Sequence, residues 1–279
     1  MLKTCLAISA SKRNEASSLL HELVYLLLAI ILAAAYVKVN KITIVDYLAL
    51  LAAQDKEATT RISEGFDDGW QSYGTTNAIA ATWLISFECI RSRHAMAADQ
   101  LSFMACIDRR DVPLSILPTT LAYDNEEDED NKRVDAVKIL ETYSFIIKRP
   151  HESALDLHRL VHLANCNWLQ MQGDMGAQAQ AAIKQLVRVF PDNNPYNRSK
   201  WRRLLPHAMH ALSSNVEGQG EMPRVILLWK CAEALLSDGR YDEAAVYYKE
   251  VVKDETMLLG TEDPSTLTSI ANLASTYRN

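Results

Sequence analysis

Apolar positions recur at helical spacing along most of the chain. Ile44, Tyr47, Leu48 and Leu51 share one face within residues 40–63. Ile79, Trp83, Phe87 and Ile90 follow at spacings of four, four and three, which predicts one buried stripe. Thr75 or Thr76 is the expected N-cap of that helix. His94 to Cys106 predicts a further short helix, and Val134, Val137, Ile139 and Leu140 another. Tyr143 to Lys148 is β-branched and aromatic, and Ala154 to Leu157 is short, with Pro150 and Ser153 between them. This pattern predicts a small β-hairpin. Helical spacing resumes over His158 to Met171, from about 177, and from Trp201 to Leu212.

Breaks in the pattern mark boundaries. Gly65, Gly69 and Gly74 cluster, and Pro191 to Pro195 and Gly218, Gly220 and Pro223 interrupt the later helices. Asp124 to Asp130 holds six acidic residues in seven positions, a block expected to be a solvated loop. The most apolar stretch, Leu23 to Val37, runs fifteen residues without a charge between Glu22 and Lys38. A bilayer span needs about 20 apolar residues, and extension to Leu19 takes in His21 and Glu22. The expectation is a buried helix. A single-pass anchor over residues 19–37 is the alternative.

Composition agrees with the helical reading. Only 9 Gly and 8 Pro occur in 279 residues, too few for the frequent turns of a β-sandwich. The fold class expected is mainly α. The formal net charge of −6 provides no general basic surface for phosphates, so no nucleic-acid partner is expected. Lys132, Arg133 and Lys138 are local exceptions, but they adjoin the acidic run. Cys5, Cys89, Cys106, Cys166 and Cys231 form no CxxC pair, which fits a reducing, cytoplasmic setting.

Candidate chemistry is sparse. His158 and His162 lie four apart on one predicted helix, but Arg159 stands where the zincin pattern needs Glu. No third ligand is identifiable, so no metal is expected. Neither G-x-S-x-G nor the phosphate-binding G-x-x-x-x-G-K-[ST] occurs in the chain. No catalytic residue is assigned, and the chain is expected not to be an enzyme.

The clearest pattern lies near the C-terminus. From Leu228 to Val251 the chain fits a tetratricopeptide repeat: Ala232 and Leu235 on a first helix, Gly239 at the turn, then Tyr241, Ala244 and Tyr248 on a second. Gly supplies a left-handed cap and Ala permits close helix approach. Ala274 and Tyr277 stand 42 positions beyond Ala232 and Leu235, at equivalent places in a second, shorter copy. Tyr241, Tyr247 and Tyr248 are candidates to line a peptide groove, with core packing the safer reading for Tyr248. The period and the linker Leu259 to Leu267 (LGTEDPSTL) resemble the kinesin-light-chain type of repeat.

Taken together, several segments resemble fungal NB-ARC/tetratricopeptide proteins, the NLR-like STAND NTPases. Ala80 to Glu88 (AATWLISFE), Leu101 to Arg109 (LSFMACIDR) and Val112 to Pro118 (VPLSILP) are similar to their winged-helix-like domain. Asp156 to Ala164 (DLHRLVHLA) is similar to their MHD-like motif. Trp201 to Ala208 (WRRLLPHA) is similar to the helix leading into their repeats. Tyr25 to Val37 resembles their GLPL-type helix, with Leu27 in place of the proline.

The resemblance implies residues 1–64 as a helical remnant of the NB-ARC module and 75–172 as a winged-helix-like domain. Residues 177–215 would be connecting helices, and 224–279 one complete and one truncated tetratricopeptide repeat. It implies His158 as a vestigial nucleotide-sensing position, with ADP or ATP expected only in full-length relatives. The phosphate loop is expected upstream of Met1. The expected function is a non-catalytic piece of a signalling switch that binds a protein or peptide partner through its repeats. A stand-alone tetratricopeptide adaptor is the other soluble alternative.

Overall fold

The computed structural model describes residues 13–54, 56–63, 73–118, 126–149, 153–214 and 221–278. Gly65, Gly69, Pro150, Gly218 and Gly220 lie outside the described residues, as do Cys5 and Asp124. The described residues form thirteen α-helices, two 3-10 turns and three short strands. The chain is thus mainly α. It divides into two compact units, the first formed by 1–105 and 117–173, the second by 106–116 and 174–279.

The first unit opens with helices α1 (Arg13–Glu22), α2 (Leu27–Asn40), α3 (Ile44–Ala52) and α4 (Lys56–Ile62). The apolar run Leu23 to Val37 is not one helix. Val24 and Tyr25 take positive φ angles of 49° and 57°, and α2 starts only after Leu26. Ala29, Leu32 and Ala33 are fully buried, and α2 packs against α5 (Tyr73–Arg93), also of this unit. Among the described residues no single helix is long and apolar enough to cross a membrane. α2 and α3 pass that test only as a pair, bent by 119°. Thr43 starts α3 with a capping box: its Oγ1 accepts from the Asp46 N–H, and Asp46 accepts from the Thr43 N–H.

α5 begins at Tyr73, ahead of the expected caps Thr75 and Thr76. Its stripe behaves as the spacing predicts, with Ile79, Trp83, Phe87 and Ile90 all buried. Trp83 stacks on Phe87 at 4.7 Å between centroids, and Phe87 meets Trp168 edge-on at 4.6 Å. Such pairs add about 0.5–1.5 kcal/mol beyond their buried area. α6 (Ala95–Ala105) and α7 (Glu126–Thr142) complete the helical part before the hairpin.

The start of α7 corrects an expectation, because the acidic run is not a loop throughout. Glu126 to Asp130 form the first turn and more of this helix. Acidic residues are favoured at a helix N-terminus, where the unsatisfied N–H groups carry partial positive charge. The hairpin pairs β2 (Ile146–Lys148) antiparallel with β3 (Ala154–Leu157), Ile146 opposite Leu157 and Lys148 opposite Leu155. Tyr143 and Phe145 belong to the turn before β2, with Ser144 left-handed at φ 62°. Arg149 clamps Asp156 with two hydrogen bonds of 2.7 and 2.9 Å. α8 (Arg159–Gln172) closes this unit.

The second unit contains strand β1 (Val112–Pro113) and helices α9 (Met175–Val189), α10 (Arg198–Ser214), α11 (Met222–Ser237), α12 (Tyr241–Leu259) and α13 (Pro264–Thr276). Neighbouring helices from α9 onward pack on one another, most extensively α11 on α12 and α12 on α13.

Candidate functional site

The turn between α11 and α12 fixes the geometry of the C-terminal helices. Gly239 has φ 73°. Its N–H donates to the Leu236 carbonyl, and the Arg240 N–H donates to the Leu235 carbonyl, both at 3.0 Å. These are the paired bonds of a Schellman cap, and glycine adopts the left-handed state without a Cβ penalty. Arg198 and Arg202 both bind the Asp238 carboxylate just before the turn. The Arg202 hydrogen bond chiefly holds the Asp238 carboxyl below its usual range.

Ala232, Leu235, Ala244 and Tyr248 meet in the buried seam between α11 and α12. The Tyr248 hydroxyl donates to the Glu233 carboxylate. Tyr241 is the first residue of α12 and is exposed. Ala274 is exposed as well, and Tyr277, just past α13, is 60% exposed with the Lys249 ammonium over its ring. The structure therefore gathers four of the eight repeat-signature residues, together with the Gly239 cap, and leaves Tyr241, Ala274 and Tyr277 on the surface.

A groove of about 470 Å³ opens where α11, the end of α12 and the first half of α13 meet. Met222, Ile226 and Trp229 form its α11 wall, each more than one-third exposed. Leu259 lies opposite, and Glu255 lies in the lining with only 7% of its surface exposed. Glu255 Oε2 has no hydrogen-bond partner. Ser265, Thr268 and Ser269 line the α13 side. A mainly apolar trough with a few polar groups and one embedded carboxyl suits side chains of a ligand. Behind this wall, Arg224 is buried and donates to Glu250 at 2.6 Å and to the Leu212 carbonyl at 2.9 Å. Its Nε lies 3.5 Å from Asp254.

Sequence reasoning pointed to Tyr241, Tyr247 and Tyr248 as possible groove residues, and none of them lines this groove. The readable signal was a second stripe. Met222, Ile226 and Trp229 stand at i, i+4 and i+7, beside the buried stripe Val225, Leu228, Ala232 and Leu235. A helix apolar on two faces has more than its own core to cover.

His158 lies in the other unit, as the N-cap of α8. Its Nδ1 accepts from the Leu160 N–H at 3.2 Å, so the ring satisfies one of the helix's first N–H groups. His162 Nδ1 lies 3.8 Å from Cys166 Sγ. Burial pushes the Cys166 thiol up to about 11, away from reactive thiolate. No group of three or more His, Cys, Asp or Glu among the described residues is arranged to hold a metal ion. The first unit also bears a broad open depression of about 830 Å³ near Ser18, Lys56, Thr59 and Asn77.

No family model matches the chain, and no solved structure matches it. A curated fungal protein does. The chain is 34% identical over 262 residues to a nucleotide-binding leucine-rich repeat (NLR)-like protein of Hyaloscypha variabilis. The match covers 92% of this chain and 26% of that protein, so the chain spans about a quarter of its relative's length. The similarity supports an NLR-like relationship for this mainly helical chain.

Proposed function

We propose that the chain is a non-catalytic section of an NLR-like signalling protein, in which a winged-helix-like unit relays a signal and tetratricopeptide-type helices bind a protein partner. The observation that carries the interaction half is the exposed apolar groove walled by Met222, Ile226 and Trp229 on a capped helical hairpin. Single exposed apolar residues are ordinary, whereas a concave group of them marks a contact surface. The relay half rests on the order of the first unit, short helices followed by the β2–β3 hairpin, together with the NLR-like relative. Fold alone does not decide use, so the relay is argued from both. The absence of a phosphate-binding loop from this sequence supports a section without ATP hydrolysis of its own. The four described cysteines carry no disulfide, which fits work in the cytoplasm.

A photo-crosslinking residue tests the interaction half. Placed at Ile226 on the groove wall, it is expected to trap a discrete protein partner in host extract. Placed at Ile147, exposed on the other unit, it is expected not to. Equal trapping at both positions, or none at Ile226, overturns the reading. A phosphate-release assay tests the non-catalytic reading: turnover of ATP that persists through purification contradicts it.

A further inference from the structure

We infer that the groove between α11 and α13 takes a short apolar peptide segment carrying one basic side chain, lysine or arginine, whose cation pairs with Glu255. The inference rests on the interaction reading above and specifies the chemistry of the partner.

Among the described residues, Glu255 is the sole ionisable side chain in the groove lining, which includes no Lys, Arg or His. It is more than nine-tenths buried, and its Oε2 has no hydrogen-bond partner. Buried carboxyl oxygens are ordinarily paired, because removal from water without a donor is costly. The nearest base in sequence to the α11 wall, Arg224, is committed elsewhere: to Glu250, to the Leu212 carbonyl and, at 3.5 Å, to Asp254. The groove thus sets one acceptor among apolar side chains and the hydroxyls of Ser265, Thr268 and Ser269, none of which donates to Glu255 Oε2, and its described lining supplies no cation.

The surroundings select among donors. Met222, Ile226, Trp229 and Leu259 present hydrocarbon and an indole face. A lysine or arginine stem lies along such surface while its head reaches a carboxylate, and Trp229 adds a favourable face for a cation. Flanking apolar residues of the same peptide fill the remaining volume, which is too large for one side chain alone. A charge-assisted bond in this water-poor position is stronger than a neutral one. An acidic peptide is disfavoured by the same carboxyl.

The probes are two acetylated, amidated octapeptides of leucine and alanine, one with a single central lysine and one with norleucine there. Binding to the full chain is read from tryptophan fluorescence, with Trp229→Phe identifying the reporter. The lysine peptide is expected to bind saturably and about tenfold or more tighter than the norleucine peptide, and Glu255→Gln is expected to remove that preference. The peptide comparison uses the unaltered chain, so it decides the matter even if Glu255→Gln misfolds. Equal binding of the two peptides overturns the assignment to Glu255 while leaving an apolar docking groove in place. Binding of neither overturns the inference, and crosslinking at Ile226 then shows separately whether a protein partner still docks.

Discussion

Ala232 on α11 and Ala274 on α13 stand 42 residues apart, and only Ala232 is buried. Leu235 and Tyr277 repeat the contrast, at 0% and 60% exposure. The cause is visible in the packing: α12 covers the inner face of α11, and no described helix does the same for α13. Leu267, Ile270, Ala274 and Tyr277 therefore form an open apolar stripe, while Thr266, Ser269 and Thr276 are the buried side chains of α13. Leu235→Ala is expected to destabilise the second unit by about 2–5 kcal/mol through an unfilled cavity. The pair Leu267→Lys with Ile270→Lys is expected to change stability by about 0.5 kcal/mol or less. It is also expected to reduce binding of a hydrophobic dye. Urea unfolding and dye titration measure both, and a large stability loss in the double variant contradicts an open stripe.

Gly239 gives a cleaner backbone test. A Cβ built there meets no heavy atom within 4 Å, so crowding plays no part. Its φ of 73° remains unfavourable for an L side chain. Gly239→Ala is expected to lose about 1–2 kcal/mol, the ordinary cost of holding a residue left-handed. Gly239→Asn is expected to lose less, since Asn tolerates this region. Equal losses in thermal unfolding count against a conformational origin.

A pH dependence follows from α10. The buried His207 ring lies between two carbonyl oxygens, Nδ1 3.2 Å from Asp108 and Nε2 3.2 Å from Asp111. A neutral ring donates to only one of them, and a protonated ring to both. Burial outweighs that gain and holds the His207 pKa below its ordinary value. Burial moves His210 in the same direction. With the folded pKa depressed, the unfolded chain binds more protons near pH 6, so stability increases with pH. The second unit is expected to lose stability as pH falls below about 6.5, the ordinary histidine value. His207→Gln is expected to flatten part of that slope, with His210 retaining the rest. Denaturant midpoints between pH 5 and 8 measure it, and greater stability on acidification contradicts it.

The helices were legible because their signals are local. Ile79, Trp83, Phe87 and Ile90 read as one face in sequence and are one buried face in the structure. The same holds for the turn at Gly239, where one residue sets the cap. The start of α7 was not legible, because charge repulsion and helix-dipole attraction make opposite predictions for Glu126 to Asp130. The break at Val24 and Tyr25 was missed for a related reason: neither residue type announces a left-handed turn. The groove was half legible. Its α11 wall is a helical stripe, but Glu255 and Leu259 reach it only through the angle between helices. No sequence spacing reports that an individual carboxyl will be buried without a donor.

Arg224 tests how the groove wall is held from behind. The side chain is buried on α11 and faces two carboxylates of α12, Glu250 and Asp254. Glu250 is half exposed and keeps water as an alternative partner, whereas the Asp254 side chain is only 4% exposed. Removing the guanidinium strands Asp254 and the Leu212 carbonyl in the interior. Arg224→Met is therefore expected to cost about 3–5 kcal/mol, the usual consequence of leaving one partner of a buried pair. Adding Asp254→Asn is expected to recover part of it, because the stranded charge is gone. Arg224→Lys is expected to recover less than the parent stability, since one ammonium does not reproduce the forked donors. Chemical denaturation of the parent, Arg224→Met, Asp254→Asn and the double variant measures the cycle, with Arg224→Lys read beside it. Additive losses in the Arg224→Met, Asp254→Asn pair contradict a coupled buried cluster and point to independent packing at each site.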